Sequence, residues 1–255
     1  MTLLRALVAI VMSSALALGL AACASPGDTR VNVAAAADLR YALDEVIAIA
    51  QQENPSVEYA VTYGSSGQFL QQIANGAPFD VYLSADLAFA QELVEQGRAD
   101  ETFTYAVGRL VLWVPDGSPL DPADGLQILR DAKRISIANP EHAPYGRAAV
   151  AAMERSGIYE EVRSRLVLGE NVAQAAEFVT TGNADAGIVA LSLVLSDPLR
   201  DVGTWWEIPL ADFPTIEQGG TLLTDSTGAR ALRDIIMSEE GRDILARYGF
   251  ILPEA

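Results

Sequence analysis

The sequence predicts an α/β protein folded as two lobes around a cleft. Three observations carry that prediction. Strand-like and helix-like segments alternate from Val31 almost to the C-terminal end, the pattern of sheets covered by helices. A long apolar stretch, Tyr105–Val114, broken by a single charge at Arg109, divides the alternation into two sets. A second stretch, Phe213–Thr224, offers a return crossing between them. With 255 residues, 50% of them hydrophobic, the chain can fill one or two domains. Composition alone leaves a single continuous α/β domain open.

The N-terminal end reads as a leader and not as part of the fold. Arg5 supplies a positive start, and an apolar run from Ala6 to Ala22 follows, broken only by Ser13, Ser14 and Gly19. The run ends in small residues and is short for a membrane span. Its last residues, Leu20-Ala21-Ala22-Cys23, resemble a bacterial lipobox, which implies cleavage after residue 22 and a lipid on Cys23. Cys23 is the only cysteine, so no intrachain disulfide can form. Residues 23–30 then make a lipidated start and a short tether.

The elements follow in order. Val31–Ala35 reads as a strand. Leu39, Ala42, Leu43, Val46, Ile47 and Ala50 recur at helical spacing, with Asp38 in an N-cap position before them. Val57–Thr62 is a strand, and a helix opens at Ser65 or Ser66 with Phe69, Leu70 and Ile73 inward. Phe79–Leu83 is a strand and Leu87–Gln96 a helix. Pro115–Pro119 closes the apolar stretch as a turn. The second set has a strand at Ile135–Ala138, a helix at Gly146–Ser156, a helix at Val172–Thr180 after Asn171, and a strand at Ala186–Ala190. Trp205–Gln218 reads as irregular, Thr221–Thr224 as strand-like, and Thr227–Tyr248 as two amphipathic helices. The expected division is residues 31–107 in the first lobe, 108–218 in the second, and 219–255 returning to the first.

Catalytic signatures are missing. There is no dinucleotide fingerprint and no phosphate-binding P-loop. Gly64-Ser65-Ser66-Gly67 has the wrong spacing for a nucleophile elbow. His142 is the only histidine, and its Pro-rich loop suits a surface or loop-bracing role. One Cys and one His make a zinc site improbable. A net charge of −17 disfavours nucleic acid as a partner.

What recurs is a strand, a turn of small or hydroxylic residues, and a helix start. It occurs at Ala35–Asp38, Gly64–Gly67, Asn139–Gly146 and Glu170–Val172. Each helix start carries unpaired backbone N–H groups and the positive end of the helix dipole. Several aimed at one cleft make an anion site without Lys or Arg, and the Ser66 and Tyr145 hydroxyls add donors. Ordinary helix caps are the bland reading of the same pattern.

Seven segments carry a more specific likeness: VAAAADLRYAL (33–43), YGSSGQFLQQIANGAPFDVYLSAD (63–86), GRLVLWVP (108–115), NPEHAPYG (139–146), ENVAQA (170–175), NADAGIVAL (183–191) and RYGFILP (247–253). In this order they resemble the periplasmic molybdate-binding protein family across nearly the whole chain after the leader. The resemblance implies a type II two-lobed binding fold, a tetrahedral dianion (molybdate or tungstate) held by neutral donors, and an ABC permease as partner. Together with the lipobox-like ending, the expectation is an extracytoplasmic, membrane-anchored, monomeric binding lipoprotein. Neither catalysis, nor a cofactor, nor a metal beyond the bound oxometalate is expected. Carried over by position, the ligand contacts are Ala37 and Asp38, Ser66 through hydroxyl and N–H with Ser65 beside it, and the backbone N–H groups of Tyr145 and Val172. Another oxyanion, such as hydrogen phosphate or sulfate, is the alternative ligand. An enzyme on a related scaffold and a signalling receptor module are the alternatives from other classes.

Two positions depart from the family pattern. Some relatives carry a ligand-binding Tyr where this chain has Ala190, and Tyr145 is expected to supply the phenol instead. Asp38 stands where many relatives have Ser or Asn. Its carboxylate is expected to cap the following helix and to leave only its backbone N–H for the ligand. A hydrogen bond from a protonated oxyanion to Asp38 is the second possibility.

Overall fold

The computed structural model describes residues 30–253. The leader, Cys23 and most of the expected tether lie outside these residues. Five strands form one sheet in the order β2-β1-β3-β10-β4, and five form a second in the order β7-β6-β8-β5-β9.

The first lobe opens with β1 (Arg30–Ala36), one residue earlier than expected, because Arg30 pairs with Glu58 at the start of β2 (Glu58–Gly64). Val31, Val33, Ala34 and Ala35 are fully buried, as suits a central parallel strand covered on both faces. A turn of 3-10 helix, Ala37–Leu39, leads into α1 (Arg40–Glu53), which buries Ala42, Leu43, Val46 and Ala50. Then come α2 (Ser66–Ala74), β3 (Val81–Ser84), α3 (Leu87–Glu95) and β4 (Thr102–Gly108).

The apolar stretch around Arg109 is two strands in two sheets. β4 ends at Gly108, and β5 (Leu110–Pro115) begins the second sheet. Arg109 sits at the passage, its guanidinium bonded to both carboxylate oxygens of Glu207. The second lobe continues with β6 (Ile135–Ala138), α4 (Pro144–Arg155), β7 (Leu166–Gly169), α5 (Val172–Thr180), β8 (Ala186–Ala190) and β9 (Gly203–Glu207). The segment read as irregular, Trp205–Gln218, thus begins inside an edge strand, β9, which pairs with β5.

The chain returns through β10 (Ile216–Leu222), which enters the first sheet three residues before the boundary expected at 219. Helices α6 (Thr227–Met237) and α7 (Glu239–Arg247) close the first lobe. Both sheets follow one plan. Three strands run parallel, β2-β1-β3 or β7-β6-β8, and the fourth is an antiparallel strand arriving from the other lobe, β10 or β5. The first sheet has a core on each face. The core of the second lobe reaches across to Ala36, Ala37 and Ala85 of the first, so the lobes are packed in a closed arrangement.

Candidate functional site

The four strand–turn–helix units sit at the carboxyl ends of parallel strands: β1 and β2 in the first lobe, β6 and β7 in the second. In open parallel sheets that is where ligands bind. The units face one another across one small, half-open cavity, about 200 Å³ counting the space open to solvent. Ala37, Asp38, Ser65, Ser66, Tyr145 and Val172 all line it, with Ala36, Gly64, Ala85, Ala143, Pro144 and Asn171. No Lys, Arg or His is among the lining residues. Larger surface grooves exist elsewhere, such as one along Gln68, Gln71, Gln72 and Asn75, but none gathers these turns.

The two serines at the start of α2 have different commitments. Ser65 Oγ donates to the His142 carbonyl at 2.6 Å and lies 2.8 Å from His142 Nδ1. A hydroxyl has one proton, so Ser65 accepts from the imidazole and has no proton left for a ligand. Ser66 Oγ accepts the Ala85 N–H at 3.0 Å, which leaves its own proton free. Tyr82 donates to the Ser66 carbonyl at 2.7 Å and fixes the turn.

In the second lobe, Pro144 occupies the first turn of α4 and Tyr145 follows it. Proline is suited there because its missing N–H would have had no helical partner. Asn171 caps α5 by accepting from Ala173 and Gln174, both at 3.0 Å. That cap does not claim the N–H of Val172, the first helical residue. Ala190, the position of the alternative tyrosine, is fully buried at the end of β8 and does not line the cavity.

Two expectations are corrected. Asp38 does not cap a helix, since it lies inside the 3-10 turn, which has no side-chain cap. Nor does the Tyr145 phenol face the site as a spare donor. Its O–H donates to Asp38 Oδ2 at 3.0 Å, and Gln218 Nε2 reaches the same oxygen at 2.5 Å. Closure of the lobes brings these groups together, and a long-range partner outweighs a weak local cap. Burial pushes the Asp38 carboxyl up to about 6, against the lowering effect of the bonds from Gln218 and Tyr145. Burial, and then the charge of Asp38, holds the Tyr145 and Tyr105 phenols well above their usual range.

Residues that sequence reasoning passed over brace this site. Gln218 lies in the segment read as irregular, yet it is fully buried on β10. Ser192 donates to the Asp38 carbonyl at 2.7 Å across the lobes. His142, expected as a loop brace, braces the opposite lobe. Its carbonyl also accepts the Gly67 N–H at 2.9 Å, and a Cβ on Gly67 would come within 2.6 Å of that oxygen. Glycine is required by this close approach. Gly67 could have been suspected from the Gly-Ser-Ser-Gly turn, whereas Gln218 had no local signal.

Comparison with known proteins adds a family to this geometry. Residues 31–251 match the family described as bacterial extracellular solute-binding protein. The molybdate-binding protein ModA of Rhodobacter capsulatus is 38% identical over 243 residues, covering 93% of each chain. The ModA of Azotobacter vinelandii is also 38% identical, over 92% of this chain and 95% of its own. Among solved structures, the periplasmic molybdate-binding protein of Azotobacter vinelandii superposes with a TM-score of 0.79 at 27% identity, covering 88% of this chain and all of that one. The sulfate-binding protein SubI of Mycobacterium tuberculosis shares the fold, with a TM-score of 0.69 at 17% identity, over 87% and 86% of the two chains.

Proposed function

The chain belongs to the bacterial extracellular solute-binding protein family, and we propose that it captures molybdate or tungstate and delivers it to the permease of an ABC importer. It is a binding protein and not an enzyme. One observation carries the reading. Four helix-initiating turns from two lobes wall one small cavity whose lining carries no Lys, Arg or His. Neutral donors suit a fully deprotonated tetrahedral dianion, which accepts at each oxygen and brings no proton of its own. The full-length similarity to molybdate-binding relatives supports the same ligand class.

In this reading Ser66 donates through its hydroxyl and its N–H. Ala37, Asp38, Tyr145 and Val172 contribute backbone N–H groups, and Ser65 holds the loop across the cleft. Each charge-assisted hydrogen bond contributes about 1.5–3 kcal/mol net. After the costs of association, a handful gives roughly micromolar to nanomolar affinity. The two lobes close over the ligand by hinge motion at the passages near Arg109 and between β9 and β10. Cleavage after residue 22 and lipidation of Cys23 would tether the protein outside the cytoplasm, next to its permease. The lipobox resemblance supports that anchor.

Calorimetric titration of the mature chain with molybdate, tungstate, sulfate and phosphate tests the ligand. Tight binding of the first two with sulfate and phosphate silent is expected. Preference for phosphate or sulfate would overturn the assignment. Metabolic labelling with a fatty acid, lost in Cys23→Ala, tests the anchor.

A further inference from the structure

Asp38, Tyr145 and Gln218 form a buried polar cluster that spans the lobes. Asp38 follows β1 and Gln218 lies on β10, both in the first lobe, while Tyr145 opens α4 of the second. None of the three is more than 2% exposed. The cluster is tightly built. A Cβ on Gly108 would collide with the Tyr145 hydroxyl and come within 2.9 Å of Gln218 Nε2. Its hydrogen bonding is unbalanced. Oδ2 of Asp38 takes both donors, and Gln218 Nε2 is also 3.2 Å from the Tyr145 hydroxyl. Oδ1 of Asp38 and Oε1 of Gln218 have no partner among the described residues.

Among the described residues, none places a compensating cation beside the carboxyl. Tyr145 faces it from α4, Tyr105 from β4 and Gln218 from β10, the backbone N–H groups of Asp38 and Leu39 lie beside it, and Ser192 binds its backbone carbonyl. Charged side chains on the neighbouring elements, Arg40, Glu177 and Glu217, are exposed. Arg147 on α4 is engaged with Asp86 at 2.5 Å. A buried carboxylate without a cation is costly, and a dianion in the same cavity wall adds like-charge repulsion.

We propose that oxyanion capture is coupled to proton uptake at Asp38: the loaded, closed protein holds a dianion beside a neutral Asp38 carboxylic acid. The inference rests on the oxyanion reading above. One solvent proton bonds to Oδ1, the carboxyl oxygen without a partner, and no covalent bond of protein or ligand breaks. The cavity then gains one negative charge in place of two. Burial already pushes the closed carboxyl up to about 6, against the lowering effect of its hydrogen bonds. When the lobes part, water reaches the group and it ionises more readily. The chain's single imidazole, that of His142, is bonded to Ser65.

The test is calorimetry of the mature chain with molybdate at pH 7, in buffers of different ionisation heat, which counts protons directly. Uptake of about half to one proton is expected, with affinity falling up to about tenfold per pH unit above pH 6.5. Asp38→Asn, a neutral carboxyl mimic at every pH, should take up no proton and lose the pH slope, and Asp38→Ser should do the same. Tight molybdate binding by the parent without proton uptake overturns the inference and leaves the oxyanion reading standing. Uptake that persists in both Asp38 variants and vanishes in His142→Gln also overturns it. If neither Asp38 variant folds, the parent's proton count decides. No binding of molybdate, tungstate, sulfate or phosphate removes the oxyanion reading and this inference with it.

Discussion

The first lobe walls the cavity with polar side chains, and the second walls it with backbone. Asp38, Ser65 and Ser66 are all at least 97% buried in the first, joined from behind by Gln218. Opposite them stand Ala143, Pro144 and Val172, whose side chains offer nothing polar, Asn171, whose amide oxygen caps α5, and Tyr145, whose phenol is spent on Asp38. Sheets of the same plan thus make unlike halves of one site. The first lobe carries most of the polar side chains, while the second presents mainly backbone, together with the phenol and the His142 carbonyl that bond to the first. Side-chain changes in the first half should therefore act on binding and ionisation, and matching changes in the second should act weakly or through closure.

The sharpest expected contrast concerns stability. The Asp38 carboxyl is raised from its usual value near 3.8 to about 6 in the folded protein. Between pH 4 and 6 the unfolded chain releases this proton while the folded one keeps it. The group's contribution is therefore fully present below pH 4 and is lost as pH rises through 6. A two-unit shift is worth about 3 kcal/mol. Denaturant unfolding of the ligand-free protein should find Asp38→Asn gaining about that much on the parent between pH 4 and pH 7. A gap that does not change with pH would mean that the carboxyl is not buried in solution.

Next comes Ser66→Ala. It removes the one cavity hydroxyl with a free proton and should weaken molybdate binding about 10- to 100-fold, or ~1.5–3 kcal/mol. Its counterpart in the second lobe, Val172→Ala, keeps the backbone N–H and should stay within about threefold. Equal losses at the two positions would erase the distinction between the halves.

Tyr145→Phe keeps the ring and the N–H but removes the closing bond to Asp38. A loss of ~1 kcal/mol, about fivefold in affinity, is expected by titration. The smallest effect belongs to His142→Ala. It deletes the imidazole contact to Ser65 yet leaves the carbonyl that accepts from Ser65 and Gly67. Affinity should change by about threefold or less, and a larger loss would promote His142 from brace to binding residue.

Much of this molecule could be read in advance, and the failures have a common form. Ile135–Ala138, Val172–Thr180 and Ala186–Ala190 are seen with the bounds expected from their apolar runs and the Asn171 cap. All six candidate ligand residues line one cavity. The edge strand β9 was illegible because Trp205 and Glu207 alternate with nothing that sets them apart from a loop, and pairing with β5 makes them a strand. Gln218 was illegible because its partners are 73 and 180 residues away.

The sequence by itself determined the alternation of strands and helices, the turns that begin four helices with small residues, and the lack of cationic side chains in those turns. These are local properties, set by periodicity, capping and side-chain size. Only the tertiary structure decided which lone pairs and protons those turns have left to offer. Ser66 keeps its proton, Ser65 gives it to the other lobe, and Asp38 turns from a helix cap to a buried partner of Tyr145 and Gln218. The reason is physical. A side-chain hydrogen bond made within a turn is worth about a kilocalorie, and burial against a distant strand or lobe is enough to redirect it.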